Sequence, residues 1–306
     1  MNTKQPVTLI ISSIVDVNIF HFFALEIHAV WEHIKREQQQ RCIVYLQNFQ
    51  NNGVHYWRKD LLNCIVPTFT SIQEVHDYCE KENLMVNNAP NLTYHGWIID
   101  PWSFVKYTPD PSYLQFADKV KDKLGSSNKV GVYATLVKRT KSRILFDHVT
   151  KDLFEHVFIQ TCQEKNIPWK VVDFDNLTLQ EQAEALADTK VMLSCHGAGN
   201  TNVFLLPDNG HLIEINFRKH WYCDPVCDPH FHGNLPSTSK CNGKLTWRPY
   251  FHKADYHNLA KFFGKQYTEL NSEYTEEYVD RNPINVMRVY IDSKHVMHHV
   301  VSHVMT

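Results

Sequence analysis

The 306-residue chain lacks most of the features that assign a sequence to an easily read class. Lysines and arginines number 31 against 33 acids, for a formal net charge of -2. No broad basic field therefore points to nucleic acid or to an anionic membrane. Eight cysteines are too few and too irregularly spaced for a disulfide framework in a chain of this length. Five of them fall in apolar or helical patterns, where a buried free thiol is expected, and that usage fits a reducing compartment. Internal repeats and low-complexity tracts are absent. An apolar run from Val7 to Val15 has the length of a signal-peptide core, with Lys4 before it. No small-residue cleavage site follows, Asp16 and Asn18 interrupt the run, and it is too short to span a bilayer. It reads as a buried strand. Without a secretory route, the sequons Asn91-Leu92-Thr93 and Asn176-Leu177-Thr178 carry no message.

What is present is a large core. Hydrophobic residues make up 43%, and at roughly 150 residues per domain two domains are expected. In the first third, strands are expected at Leu9 to Val15 and Cys42 to Leu46, with helical spacing between them from Phe22 to Ile34. Another apolar stretch lies near Leu61 to Val66. Ser71 to Glu82 reads as a helix in which Ser71 and Glu74 form a capping box, and Tyr113 to Leu124 as a lysine-rich one. Gly125 to Asn128 is the best candidate linker, which divides the chain into 1–125, 126–292 and a terminal helix at 293–306.

Beyond the linker the pattern becomes regular. Strands at Lys129 to Val137, Trp169 to Phe174, Val191 to Cys195 and His211 to Phe217 alternate with helical segments at Thr150 to Lys165, Thr178 to Asp188 and Asn200 to Leu206. Alternation of this kind predicts a parallel sheet covered on both faces, with ligand at the carboxyl ends of its strands. Helices are also expected at Ala254 to Gly264 and Ser293 to Val304.

The segment richest in chemistry runs from Val191 to Phe204, where an apolar strand enters His196-Gly197-Ala198-Gly199 and a helix opens at Asn200. Two glycines admit a ligand close to the backbone, and free amides at a helix start favour phosphate. The run is neither a G-x-G-x-x-G fingerprint nor a P-loop, since no lysine follows. A ligand-free tight turn fits it equally well. The second segment, Lys138-Arg139-Thr140-Lys141-Ser142-Arg143, lies at the carboxyl end of a strand beside that turn. There Arg139 and Arg143 are able to clamp a diphosphate bidentately, although an isolated run of this kind is a solvated loop.

The glycine turn, the downstream Asn202, Phe204, Leu205, Pro207 and Leu212-Ile213-Glu214-Ile215, and the upstream arginines together resemble family 61 glycosyltransferases. That family includes protein O-linked N-acetylglucosaminyltransferases and plant xylosyl- and arabinosyltransferases. The resemblance covers about residues 130–270, ending with Tyr256 to Ala260 and the Gly264-x-x-Tyr267 element; Asn18, His21 and Glu26 resemble an N-terminal family segment. It implies a GT-B architecture, an α/β fold of two Rossmann-like domains facing across a cleft, and inverting transfer from a UDP-sugar to a glycan or glycoprotein hydroxyl. By position, Arg139 and Arg143 would contact the diphosphate, His196, Gly197, Ala198, Gly199 and Asn200 would cradle it, and Glu214 would hold the ribose or order the pocket. His21 or Glu26 would be the base, and the helix from Ser293 would pack back on the first domain. No cofactor is required, xylose is the donor guessed, and a cytoplasmic viral or microbial enzyme is expected in preference to the lumenal part of a secretory one.

Two other patterns invite a metal. Asp173-Phe174-Asp175 spells an acid-x-acid motif, but two acids between a strand and a helix are common caps. Cys223, Cys227, His230, His232 and Cys241 offer ligands for a structural zinc, at a spacing looser than a zinc knuckle. The histidines of the last helix read as a solvated face. A non-catalytic nucleotide- or glycan-binding module and a zinc-stabilised interaction protein stand as the alternative readings.

Overall fold

A computed structural model describes residues 4–12, 19–36, 41–50, 52–90, 92, 111–216, 220–221, 248–249, 255–278 and 286–306. The chain opens with β1 (Gln5–Ser12), then a helical run made of α1 (Ile19–His21), a π-helix (Phe22–Ile27) and α2 (His28–Arg36). β2 (Arg41–Leu46), α3 (Gly53–Asn63), β3 (Thr68–Phe69), α4 (Ile72–Lys81), β4 (Leu84–Asn88) and α5 (Pro111–Lys123) follow. Next come β5 (Tyr133–Val137), β6 (Ile144–Asp147), α6 (Phe154–Glu164), β7 (Trp169–Val172), α7 (Leu179–Leu186) and β8 (Thr189–Cys195). A 3₁₀-helix (Ala198–Leu205) leads to β9 (His211–Asn216) and the short pair β10 (His220–Trp221) and β11 (Arg248–Pro249). The chain closes with α8 (Asp255–Phe262), β12 (Gln266–Asn271), β13 (Tyr274–Tyr278), β14 (Val286–Ile291) and α9 (Ser293–Met305).

Two parallel sheets dominate. The first has the order β3-β2-β1-β4, and the second β12-β9-β8-β5-β7. Taken in chain order, the second is the doubly wound arrangement 2-1-3-4-5, whose direction reverses between β5 and β8. A small third sheet pairs β14 with β13 antiparallel and with β6 parallel. The fold is thus mixed α/β with Rossmann-like parallel sheets, as the alternation predicts.

Strand β8 shows why such sheets need cover on both sides. Its Met192 belongs to one apolar cluster, and Val191, Leu193 and Cys195 belong to another on the opposite face. The first cluster continues without a break into the N-terminal sheet. Phe23 of the π-helix stacks on Phe204 of the 3₁₀-helix at 5.1 Å, and Phe263 meets both rings at 5.8 and 5.7 Å. Burial of rings this size joins the two sheets through one apolar body.

The second cluster corrects one expectation. Helix α9 buries Val296, Met297 and Val300 with Phe154 and Phe158 of α6, on the far face of the second sheet, and does not cross to the first domain. Nor is its histidine face wholly solvated. The His303 ring sits 4.0 Å from that of His211, a residue only 5% exposed.

Local chemistry sets the element ends. The capping boxes form as expected at Ser71 with Glu74, and a second forms at Thr178 with Glu181. Gly125 and Ser126 close α5 as a Schellman motif, with Gly125 at φ +66° and bonds from Gly125 N to Asp122 O and from Ser126 N to Lys121 O. The segment expected to be a linker therefore begins as a helix cap. β5 starts later than expected because the Asn209 amide takes both the N–H and the carbonyl of Gly131. α6 starts at Phe154, not Thr150, because Asp147 accepts from the Val149 and Thr150 amides and holds them in a turn.

Candidate functional site

The topological reversal between β5 and β8 is where an open α/β sheet leaves a crevice for ligand. At that crevice β5 ends in Val137, in register with Ser194 of β8. The loop after β5 carries Arg139 and Arg143. Arg143 adopts φ +58°, a left-handed conformation that an arginine holds only under constraint. Its constraints are local: Arg143 Nη1 donates to His196 O at 2.5 Å, and Arg139 Nε donates to Ser142 O at 3.1 Å. Lys141 pairs with Asp175 at 3.6 Å, and Thr140 Oγ1 donates to Asp173 Oδ2 at 3.3 Å. Asp173 also accepts from the Asp175 amide and caps the short helical turn after β7. The acid-x-acid motif thus serves to tether the cationic loop.

The other side of the crevice is the glycine turn. A Cβ added at Gly197 would come within 2.6 Å of Arg139 Nη1 and 2.8 Å of Arg143 Nη1. The missing side chain lets two guanidinium groups converge over the turn. Gly197 itself is extended, so this is a requirement for space, not for a special backbone angle. Ala198 and Gly199 begin the 3₁₀-helix, and a Cβ at Gly199 would touch the Phe174 ring at 3.2 Å.

Behind the turn lies a buried polar network. Glu214 is fully buried on β9, and its Oε1 lies 2.6 Å from His196 Nδ1 and accepts from Asn200 Nδ2 at 3.3 Å. Its Oε2 accepts from the Tyr267 hydroxyl at 2.5 Å. Ser194 Oγ donates to Asn200 Oδ1, which orients that amide with its nitrogen toward the carboxylate. Tyr256 meets the His196 ring edge-on at 5.2 Å. Burial pushes the neighbouring Cys195 thiol up to about 12, despite Arg143 and Arg139, so it stays a neutral packing residue.

The N-terminal residues reach the same region through α1, which packs on the 3₁₀-helix. Phe20 contacts Tyr256 at 5.3 Å, one ring away from His196. His21 ends α1; its side chain lies outside the described residues. Glu26 is fully buried, and Arg58 Nε and Nη2 each reach its carboxylate at 2.5 Å, while Ser12 Oγ donates to it as well. Arg58 is equally buried and lies 4.8 Å over the Phe22 ring. Burial raises the Glu26 pKa, with Arg58 and Ser12 pulling against it.

Residues 94–213, which contain both the cationic loop and the glycine turn, match the sequence model of the family Glycosyltransferase 61. The matched stretch marks a family 61 glycosyltransferase region. No curated protein matches it. Of the site residues read from this glycosyltransferase's sequence, Arg139, Arg143, His196, Gly197, Asn200 and Glu214 converge. Asn200 and Glu214 are 1% and 0% exposed and bond behind the turn. Tyr267 is the functional neighbour not singled out from sequence, where only its family-like spacing after Gly264 marked it. Arg58, the partner of Glu26, carried no sequence signal. Cys223, Cys227, His230, His232 and Cys241 lie outside the described residues. Among the described residues, no group of three or more His, Cys, Asp or Glu side chains is arranged to hold a metal, and no helix is long and apolar enough to cross a membrane.

Proposed function

We propose that this glycosyltransferase transfers a sugar with inversion from a UDP-sugar to a hydroxyl of a glycan or glycoprotein, without a metal, in a GT-B arrangement. The observation that carries the reading is the convergence of Arg139 and Arg143 on Gly197 at the reversal point of the second sheet. Two fixed guanidinium groups beside a bare backbone suit a diphosphate, whose oxygens accept bidentate bonds. In the reaction the acceptor oxygen attacks the anomeric carbon as its proton passes to a base. The bond from that carbon to the diphosphate breaks, and its electron pair goes to the phosphate oxygen. The arginines stabilise that departing charge, a preorganised role of the kind that dominates many enzymes.

The base in this proposal is His21. Both oxygens of Glu26 are engaged by Arg58, which leaves that carboxylate poorly placed to accept a proton from a substrate. The packing of α1 against the 3₁₀-helix supports a place for His21 near the donor. Engagement of Asp173 and Asp175 within the protein supports the metal-free reading. The free thiols of Cys64, Cys79, Cys162 and Cys195 support work in a reducing, cytoplasmic setting. Xylose is the donor sugar to test first.

The test is a thermal-shift series with nucleotides and nucleotide sugars, with and without EDTA. A ligand at about a hundred times its dissociation constant adds roughly 2.7 kcal/mol. Stabilisation by UDP and by one UDP-sugar that survives EDTA is the expected result, and that sugar names the donor. A melt unmoved by any nucleotide would end the proposal.

A further inference from the structure

Three strand ends stand level at the crevice. Val172 of β7 pairs with Val137 of β5, and Val137 with Ser194 of β8. Two residues beyond them come Phe174, Arg139 and His196. The sheet thus delivers an aromatic ring, a cation and the glycine turn to one edge, where such sheets take ligand. We infer that Phe174 is the platform on which the nucleobase of the donor stacks, beside the arginine pair that meets its diphosphate. This inference rests on the UDP-sugar reading above.

Phe174 is half-buried, with part of its ring packed on the apolar cluster that joins the two sheets. A Cβ added at Gly199 would meet its Cδ2 at 3.2 Å and its Cε2 at 3.9 Å, so the turn abuts an edge of the ring and not its face. Gly197, two residues earlier, is where the two guanidinium tips converge. Two Cα steps of about 3.8 Å separate these contact points along the chain, a span that a ribose bridges between base and phosphate.

The backbone of Phe174 is fixed from both sides of the crevice. Gln182, 4% exposed, donates from Nε2 to Phe174 O at 3.3 Å and to Leu177 O at 2.9 Å. Its Oε1 accepts from Asn202 of the 3₁₀-helix at 2.7 Å. On the other side, Asp173 and Asp175 hold Thr140 and Lys141 of the cationic loop. Ring, turn and arginines are therefore one assembly before a ligand arrives, and a preordered contact loses little entropy on binding. The cap of this short turn comes from Asp173, so the ring is not needed for it. What the ring offers is a flat apolar face, and every base has a π-face to lay on it. Stacking of this kind tolerates any base, so Phe174 supplies affinity for a nucleoside and not the choice of uracil.

Calorimetric titration of the full chain with UDP and with inorganic pyrophosphate tests this, in the wild type, Phe174→Leu and Phe174→Trp. Leucine keeps an apolar side chain against the core but has no ring to stack. UDP affinity should fall by about 10-fold or more in Phe174→Leu, while pyrophosphate affinity stays within about 3-fold. Phe174→Trp should bind UDP at least as tightly as the wild type, and UDP should quench its added indole fluorescence. Unchanged UDP affinity in Phe174→Leu would overturn the inference. So would an equal loss for both ligands, which marks a distorted turn and not a lost stack. In the wild type, pyrophosphate bound as tightly as UDP would also overturn it, while leaving the diphosphate cradle standing. That comparison and the tryptophan variant decide the matter even if Phe174→Leu fails to fold. A wild type that binds neither ligand ends the UDP-sugar reading, and this inference with it.

Discussion

Arg139 carries its Nη1 to 2.6 Å from the point where Gly197 would bear a Cβ, although the two residues lie on different strands' exits. Because Gly197 is extended, alanine fits its backbone without strain, and only the guanidinium tips must move. Gly197→Ala should therefore leave the melting temperature nearly unchanged and weaken UDP binding by about 10-fold or more. Calorimetric titration with UDP checks this; an unchanged affinity would mean that the two arginines do not meet the ligand over the turn.

Arg139→Ala and Arg143→Ala should each reduce UDP affinity by about 10- to 100-fold, from ~1.5–3 kcal/mol per bond to a charged group. The second should also loosen the turn, since Arg143 alone of the two donates to the His196 carbonyl. Amide exchange at residues 196–199 reads that difference.

Glu26 and Arg58 form a fully buried ion pair. Removing one partner leaves an uncompensated charge in the core, so Arg58→Met should cost about 3–5 kcal/mol in urea unfolding. Replacing both, as Glu26→Leu with Arg58→Met, should recover much of that loss. If the single and double variants lose stability equally, the pair does not act as a unit.

His211 gives the fold an acid limit. Burial and the nearby His303 push its pKa from 6.5 down to about 4, against a side-chain hydrogen bond with Gln266 that favours the charged ring, with Lys261 and His299 adding to the depression. Its Nε2 also meets Thr268 Oγ1 at 2.8 Å. The unfolded chain takes up this proton below pH 6.5 while the folded one refuses it until about 4. Stability is therefore complete above pH 6.5 and falls across that window, by up to about 3 kcal/mol from His211. His299 and His303 are lowered too and act in the same direction. Thermal melts from pH 8 to 4.5 should show the decline, and His211→Gln should remove most of it.

The sequence by itself determined the α/β alternation, the glycine turn after β8 and the capping boxes at Ser71 and Thr178, because each depends on residues close together in the chain. Periodicity and capping are local physics, so they can be read along a line. It did not show α3, whose buried face includes His55 and Arg58, residue types that pattern reading assigns to water. Only the tertiary structure decided the rest of the site. Glu26 pairs with Arg58, which lies 32 residues away in sequence and 2.5 Å away in space. Glu214 met His196 and Tyr267 because parallel pairing brings β8, β9 and β12 side by side, and α9 docked on the second sheet because Phe154 and Phe158 line that face. A buried charge is stable only beside its partner, and which residue becomes that partner is fixed by packing across the fold, not by spacing along the chain.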